Sequence, residues 1–283
     1  MTSFASAESK NTIGHIVKQA SNEQDFATSG TSKNELFKYL VIADTHGSGL
    51  DKHMLRELFK SLDWSDILEK DNFFEIIQGE IKKHDTYRQG STLSICKIYE
   101  DKFENYWAGD STIKIYQNGN VIWRTEDHDY NNDENIRNLN DLEQFKRFRE
   151  ENDVVATSST CLKQVKAKKF YFGGEFTIDA FNMTHCLGHN QVSGDYICHD
   201  TVMRAENTDY KVVAGSDGFW QVMCESDNNI ISSKEISCAD LADIAYNRWR
   251  QEWTFTELSG KQWEKIKFPG YNIDDVALAC WSN

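Results

Sequence analysis

The feature that most constrains this chain is a pair of apolar runs that each end in an aspartate and a glycine-bearing turn. The first run, Leu40–Ala43, leads into Asp44, and the second, Val212–Gly215, leads through Ser216 into Asp217. Short apolar runs rich in β-branched residues, bounded by turn residues, are typical of buried strands. The pattern therefore predicts two carboxylates at the ends of buried strands, where each has to be solvated or paired.

Two further aspartates, Asp25 and Asp274, stand beside apolar runs near the two ends of the chain. Carboxylates that converge on one point repel one another unless cations lie between them. Carboxylate oxygens are the ligands that hard divalent ions such as Mg²⁺ and Mn²⁺ prefer. The four aspartates therefore predict a divalent metal site. Each one alone also fits a turn or a strand end, and Glu23 is an alternative to Asp25.

Composition narrows the classes of protein. With 45 acidic and 31 basic residues the net charge is −14, which argues against a broad surface for nucleic acid or anionic membrane. The mean hydropathy of −0.63 and the lack of a long apolar run predict no transmembrane helix. The first residues do not have the pattern of a secretory signal. The seven cysteines include no CxxC pair, which predicts buried free thiols in a reducing compartment rather than a zinc site.

The order of segments predicts one domain. We expect a disordered tail over residues 1–12 and a single domain over 13–283, because no Pro/Gly/Ser-rich linker divides the chain. Asn118-Gly119 between two apolar runs predicts a β-hairpin. Apolar spacing predicts helices over roughly 50–61, 67–85 and 238–253. Strands occur in groups rather than alternating with helices, which favours an α+β fold.

Eight short motifs occur in a fixed order over residues 13–281. They are Glu23-Gln24-Asp25, Asp44-Thr45-His46-Gly47, Gly90-Ser91-Thr92, Gly109-Asp110-Ser111, Asp127-His128, Leu187-Gly188, Ser216-Asp217-Gly218-Phe219-Trp220 and Asp274-Asp275. Each motif alone is common, but the series is specific. In this order the chain resembles the metal-dependent protein phosphatases of the PPM family, type 2C.

The resemblance implies a fold and an activity. The fold would be an α-β-β-α sandwich of two packed antiparallel sheets flanked by helices. The activity would be a Ser/Thr protein phosphatase that uses two Mg²⁺ or Mn²⁺ ions, and a weaker third, to hydrolyse phosphoserine and phosphothreonine in one step. The implied partner is a phosphorylated protein, without nucleic acid or membrane. The protein would be a monomer in the cytoplasm, with the nucleus as the alternative.

The resemblance also assigns roles by position. The implied metal ligands are Asp25, Asp44, Thr45 through its backbone carbonyl, Asp217, Asp274 and, for the weaker third ion, Asp127. Asp44 would bridge two ions, and His46 would be the general acid. Lys18 would bind phosphate, although it offers a point charge rather than the fork of an arginine. Asp110 is expected to hydrogen-bond within a turn.

Five positions depart from the family pattern, and one of them is His189, which follows Leu187-Gly188 where the family usually has aspartate. Thr45 stands in place of glycine, Gln221 in place of aspartate and Asp275 in place of asparagine, while Ala20 stands where many members have a phosphate-binding arginine. These departures keep two alternatives open. One is a catalytically weak pseudophosphatase that acts as a binding or regulatory module, and the other is a small-molecule phosphohydrolase on the same fold, for which Lys18 would suffice.

Overall fold

The computed structural model describes residues 12–20, 22–47, 52–84, 86, 89–128, 170–172, 179–181, 185–188, 197–256, 262–270 and 273–283. The strands in these ranges are β1 (Thr12–Lys18), β2 (Phe26–Thr31), β3 (Lys38–Ala43), β4 (Thr45–Gly47), β5 (Gln89–Ser91), β6 (Leu93–Ile98), β7 (Lys102–Ala108), β8 (Thr112–Gln117), β9 (Asn120–Arg124), β10 (Phe170–Phe172), β11 (Asp179–Phe181), β12 (Leu187–Gly188), β13 (Cys198–Met203), β14 (Tyr210–Gly215), β15 (Trp253–Thr256), β16 (Gln262–Ile266) and β17 (Val276–Ser282). The α-helices are α1 (Met54–Ser61), α2 (Trp64–Ile67), α3 (Phe73–Ile81), α4 (Asp217–Trp220), α5 (Asn228–Ser232) and α6 (Cys238–Arg250), and a 3₁₀ turn covers Glu225–Asp227.

Two five-stranded antiparallel sheets form the centre of the fold. The first has the strand order β1-β17-β14-β8-β9, and the second has the order β13-β7-β6-β3-β2. Buried side chains of both sheets meet in one cluster, which includes Leu40 and Ile42 of the second sheet and Val212 and Ala214 of the first. The prediction of an α+β sandwich of two packed antiparallel sheets is confirmed.

Helices cover the outer faces of the sandwich. Helix α6 packs on the first sheet in a cluster that includes Leu241 and Trp249, while α1 and α3 pack on the second sheet through Phe59 and Ile77. A sheet with one face on its partner and the other under helices is buried on both faces. This explains why β3 and β14 are continuous apolar runs rather than alternating ones.

The helix boundaries differ from the predicted ones. The predicted helix over 67–85 is restricted to α3, and a separate short helix, α2, begins after Asp63, whose side chain accepts a hydrogen bond from the backbone N–H of Asp66. Helix α6 begins at a capping box in which Ser237 and Asp240 each accept a backbone hydrogen bond. It ends at Arg250 because the chain becomes extended and enters β15, so the predicted end at 253 is wrong.

The hairpin predicted at Asn118-Gly119 is present between β8 and β9. Both turn residues have positive φ angles, 49° at Asn118 and 83° at Gly119. A two-residue turn of this kind requires left-handed conformations that asparagine and glycine tolerate.

The structure also bears on the predicted N-terminal tail, the predicted free thiols and the predicted lack of a transmembrane helix. Thr12 belongs to β1, where it pairs with Ser282, so residue 12 is not part of the predicted tail. Residues 1–11 and 129–169 lie outside the described residues. Five of the described cysteines form no disulfide, but Cys224 is disulfide-bonded, so the prediction of thiols without disulfides is wrong there. No helix in the described ranges is long and apolar enough to cross a membrane.

Candidate metal centre

The ends of β3 and β14 position Asp44 and Asp217. The backbone N–H of Asp44 donates to the Thr92 hydroxyl at 2.9 Å, and the Thr92 N–H donates to the Asp44 carbonyl at 2.9 Å. Asp217 is the first residue of α4, and Gly218 follows it where a Cβ atom would lie 2.0 Å from the Asp275 carbonyl oxygen. The glycine of the Ser-Asp-Gly motif therefore allows the backbone carrying Asp217 to pack directly on the segment before β17.

Strand pairing brings the other two aspartates to the same place. Phe26 of β2 pairs with Ala43 of β3, so Asp25 and Asp44, the next residues outward, face each other at the end of this strand pair. In the first sheet β17 pairs with β14, and Asp274 lies two residues before β17. Each sheet thus contributes two aspartates to one end of the sandwich.

Electrostatics show that the four carboxylates converge. Hydrogen bonding with Asp44 lowers the pKa of Asp25 and the pKa of Asp217. Asp44 therefore lies within hydrogen-bonding reach of both. The charge of Asp274 raises the pKa of all three. The structure therefore brings together the four aspartates that the sequence singled out, with Asp44 between Asp25 and Asp217.

Burial is the main cause that raises the pKa of these carboxyl groups, and repulsion between them raises it further. Desolvation by burial is the largest cause that raises the pKa of Asp25, Asp44 and Asp217 well above the ordinary value, and neighbouring carboxylates add to it. Burial raises the pKa of Asp274 to about 6, offset in part by the hydrogen bond from the Asp275 N–H. Asp25 is 3% exposed, whereas the other three keep some accessible surface within dense protein surroundings.

The donor set fits hard divalent ions. It consists of carboxylate oxygens, and Oδ2 of Asp25 is buried without a hydrogen-bond partner among the described residues. In the described part of the chain, no three His, Cys, Asp or Glu side chains are arranged to hold a metal ion as they stand. The carboxylates instead contact one another, so an ion would bind only when these side chains turn their oxygens toward a shared point.

Sequence reasoning missed a fifth carboxylate and the contact that Gln221 makes with Asp217. Asp110, expected to hydrogen-bond in a turn, lies close enough for its charge to raise the pKa of Asp44 and Asp217. The Gln221 amide donates to Oδ2 of Asp217 at 2.6 Å. The available signal was the position of Asp110 between β7 of the second sheet and β8 of the first, which places it at the same end of the sandwich.

The remaining predicted residues have the following positions. His46 lies in β4 two residues after Asp44, with both ring nitrogens buried. Asp127 accepts a hydrogen bond from the Thr112 hydroxyl at 2.8 Å. The Thr45 hydroxyl donates to the Gln24 carbonyl at 2.5 Å. The metal roles of Thr45 and Asp127 and the acid role of His46 stay predictions.

The structure does not bring Lys18 to the carboxylates through any contact among the described residues. Lys18 Nζ lies 2.8 Å from Asp243 Oδ1 of α6, on the helix side of the first sheet. Phosphate binding by Lys18 would require this ion pair to break. Its predicted role therefore has no support from this geometry and stays a prediction.

A cavity of about 430 Å³ is lined by one of the four carboxylates. Asp25 forms part of its wall, together with the aromatic side chains of Phe26, Tyr39 and Trp64 and the charged side chain of Lys60. Its size is sufficient for one or two amino-acid side chains.

Comparisons with known proteins agree with this architecture. No protein-family model and no curated protein matches the chain. Among solved structures, it is similar to the serine/threonine phosphatase of S. agalactiae, with 17% identity, a TM-score of 0.57, and coverage of 96% of this chain and 98% of that one. It is also similar to serine-threonine phosphatase 2C from Toxoplasma gondii, with 10% identity, a TM-score of 0.61, and coverage of 98% and 96%.

A third similar structure is the PPM Ser-Thr phosphatase MsPP from Mycobacterium smegmatis in complex with cacodylate. It has 14% identity, a TM-score of 0.52, and coverage of 95% of this chain and 97% of that one. At such identities the likeness establishes the fold, and it extends over nearly the whole chain. The fold of this protein is that of the PPM Ser/Thr phosphatases.

Proposed function

We propose that the protein is a metal-dependent phosphoric monoester hydrolase that acts on phosphoserine and phosphothreonine in proteins. One observation carries the proposal: Asp25, Asp44, Asp217 and Asp274 meet at one end of a sandwich with the PPM phosphatase fold. Buried carboxylates that raise one another's pKa cost folding free energy. A site with this cost is expected where the carboxylates serve chemistry.

Two Mg²⁺ or Mn²⁺ ions at such a site would supply activation of water and neutralisation of phosphoryl charge. Asp44 would contact both ions because it lies between Asp25 and Asp217. Asp25, Asp217, Asp274 and the Thr45 carbonyl would complete the ligand set, and Asp127 would serve the weaker third ion. By fixing where the ions bind, these groups would set the position of the phosphate ester, with water opposite the leaving oxygen.

The reaction also requires the transfer of one proton to the leaving group. Hydrolysis breaks the bond between phosphorus and the serine or threonine oxygen, and that oxygen needs a proton to leave as a neutral alcohol. His46, two residues from Asp44, would donate it as the general acid. The cavity lined by Asp25, Phe26 and Trp64 gives room for a substrate side chain next to the phosphorylated residue.

The test is phosphate release from a phosphothreonine peptide with and without Mn²⁺. We expect release that requires the metal and falls by at least about 100-fold in Asp44→Asn and Asp217→Asn, since even indirect support of a metal site is worth about 10- to 100-fold. Asp209→Asn is the matched control, because Asp209 pairs with Lys234 on the surface. Release that is independent of metal, or equal in all three variants, would contradict the proposal.

Two contacts favour the pseudophosphatase as the second candidate. The Gln221 amide engages an oxygen of Asp217, and Lys18 is paired with Asp243 instead of facing the carboxylates. Stoichiometric Mn²⁺ binding without turnover of any phosphate ester would identify this alternative. Turnover of sugar phosphates but not of phosphopeptides would identify the small-molecule phosphohydrolase. Monomeric state and cytoplasmic location stay predictions.

A further inference from the structure

The segment between β1 and β2 carries Asp25 and is held by residues from distant parts of the chain. Asp275, which is 1% exposed, accepts a hydrogen bond from the Ala20 N–H on Oδ1 at 2.6 Å. Its Oδ2 accepts one from the Gln24 N–H at 2.7 Å and a longer one from the Asp25 N–H at 3.4 Å. A single buried carboxylate thus receives three backbone donors of the segment that ends in Asp25.

The same segment is held from the opposite side by Thr45. Its hydroxyl, on a residue that is 1% exposed, donates to the Gln24 carbonyl at 2.5 Å. The backbone groups of Gln24 are therefore engaged at both ends, its N–H by Asp275 and its C=O by Thr45. The residue between these contacts and β2 is Asp25, so fixing Gln24 fixes the backbone from which the Asp25 carboxylate projects.

Both contacts depend on the side chains that this chain has at positions 45 and 275. Glycine has no hydroxyl to donate, and asparagine offers one side-chain acceptor oxygen where aspartate offers two. Glycine and asparagine would therefore not reproduce this set of contacts. The two side chains contact the backbone of the same residue, Gln24, which indicates that they act together.

Resting on the function proposed above, in which Asp25 holds an ion, we propose that Thr45 and Asp275 are a pair of positioning residues. The Thr45 hydroxyl and the Asp275 carboxylate clamp the backbone of Gln24 and so set the distance between Asp25 and Asp44. We call this arrangement, made of Thr45, Gln24 and Asp275, the Gln24 clamp. It acts through Asp25 and does not touch substrate.

The clamp also couples Asp25 to Asp217. The Asp275 carbonyl packs on Gly218, beside Asp217, at a spacing that leaves no room for a Cβ atom. The side chain of Asp275 therefore holds one carboxylate-bearing segment while its main chain abuts another. A change at Asp275 is expected to disturb the spacing of Asp25 and Asp217 together.

The first test measures Mn²⁺ affinity by isothermal titration, independent of turnover. We expect about a 10-fold loss in Thr45→Val and in Asp275→Asn, because residues that orient metal ligands are typically worth about 10- to 100-fold in affinity. Thr45→Ser keeps the hydroxyl and should stay within about 3-fold of wild type. The double variant should lose less than the product of the single losses, since both residues hold one peptide. At saturating Mn²⁺ the kcat of Asp275→Asn should approach the wild-type value.

The second test measures amide hydrogen exchange of residues 22–26 in chelator, where no ion contributes. Exchange should be faster in Thr45→Val and Asp275→Asn than in wild type and unchanged in Thr45→Ser. Ser32→Ala is the matched control, because the buried Ser32 hydroxyl accepts a hydrogen bond from the Phe37 N–H beyond the other end of β2. It should leave both the affinity and the exchange of residues 22–26 unchanged.

The outcomes separate the clamp from the function on which it rests. Wild-type protein that binds Mn²⁺ but releases no phosphate would refute the proposed function. The Mn²⁺ affinities of Thr45→Val and Asp275→Asn would still show whether the Gln24 clamp positions Asp25. Wild-type affinity in both clamp variants, or fully independent losses in the double variant, would overturn the clamp even if the enzyme is active. Unchanged exchange in Asp275→Asn would overturn it as well.

Discussion

Replacing Asp274 by asparagine should stabilise the protein in chelator while weakening its response to metal. Burial raises the pKa of Asp274 from an ordinary 3.8 to about 6. This difference corresponds to about 3 kcal/mol of unfolding free energy lost when the carboxylate is ionised, and partial solvent access reduces the figure to about 2 kcal/mol. Asparagine removes the charge, and its carbonyl oxygen can still accept the hydrogen bond from the Asp275 N–H.

The pH dependence of this gain has a definite sign. The folded state holds the Asp274 proton more tightly than the unfolded state, so the cost is complete above about pH 6 and disappears as the pH falls below 3.8. About half of the gain should remain at pH 5. For a chain of 283 residues, about 2 kcal/mol at pH 8 corresponds to a rise in Tm of roughly 3–4 °C.

Thermal unfolding in chelator at pH 8 and pH 5 measures the effect, with Asp209→Asn as the control, expected within about 0.5 kcal/mol of wild type. With saturating Mn²⁺ the order should reverse, because wild type gains about 2.7 kcal/mol at a metal concentration 100 times Kd. The reasoning would be refuted if Asp274→Asn were no more stable than wild type at pH 8. It would also be refuted if the gain in unfolding free energy were the same at pH 5 and pH 8.

Three further substitutions have expected outcomes. Gln221→Asp replaces the amide that donates to Asp217 by another carboxylate, so it should lower the Tm in chelator and add a Mn²⁺ ion to the stoichiometry seen by titration. Gly218→Ala places a Cβ atom 2.0 Å from the Asp275 carbonyl oxygen and should cost about 1–3 kcal/mol in urea unfolding. Asn105→Leu removes a fully buried amide whose oxygen and nitrogen have no hydrogen-bond partner among the described residues, and should raise the unfolding free energy by about 1–3 kcal/mol.

The strands that carry the site could be predicted from sequence because burial on both faces leaves a simple pattern. Leu40 and Ile42 of β3 face the other sheet, while Val41 and Ala43 face the helices, so every position is apolar until Asp44. The same logic applies to β14. Helix ends were less predictable, because they depend on local capping by residues such as Asp63.

Contacts between distant residues account for most of what the sequence could not predict. The hydrogen bonds from Ala20 and Gln24 to Asp275 span more than 250 residues. The partner of Lys18 is on α6, which no spacing in the sequence indicates. Asp110 has the sequence of an ordinary turn, and its proximity to Asp44 follows only from the packing of one sheet on the other.

The division of the carboxylates between the sheets has a consequence for the whole sandwich. Asp25 and Asp44 belong to one sheet and Asp217 and Asp274 to the other. A slip of one sheet over its partner by a single residue, about 3.3 Å, would pull the two pairs out of alignment. Packing of the apolar interior between the sheets therefore sets the distances between the four carboxylates. A core substitution far from any carboxylate would change those distances.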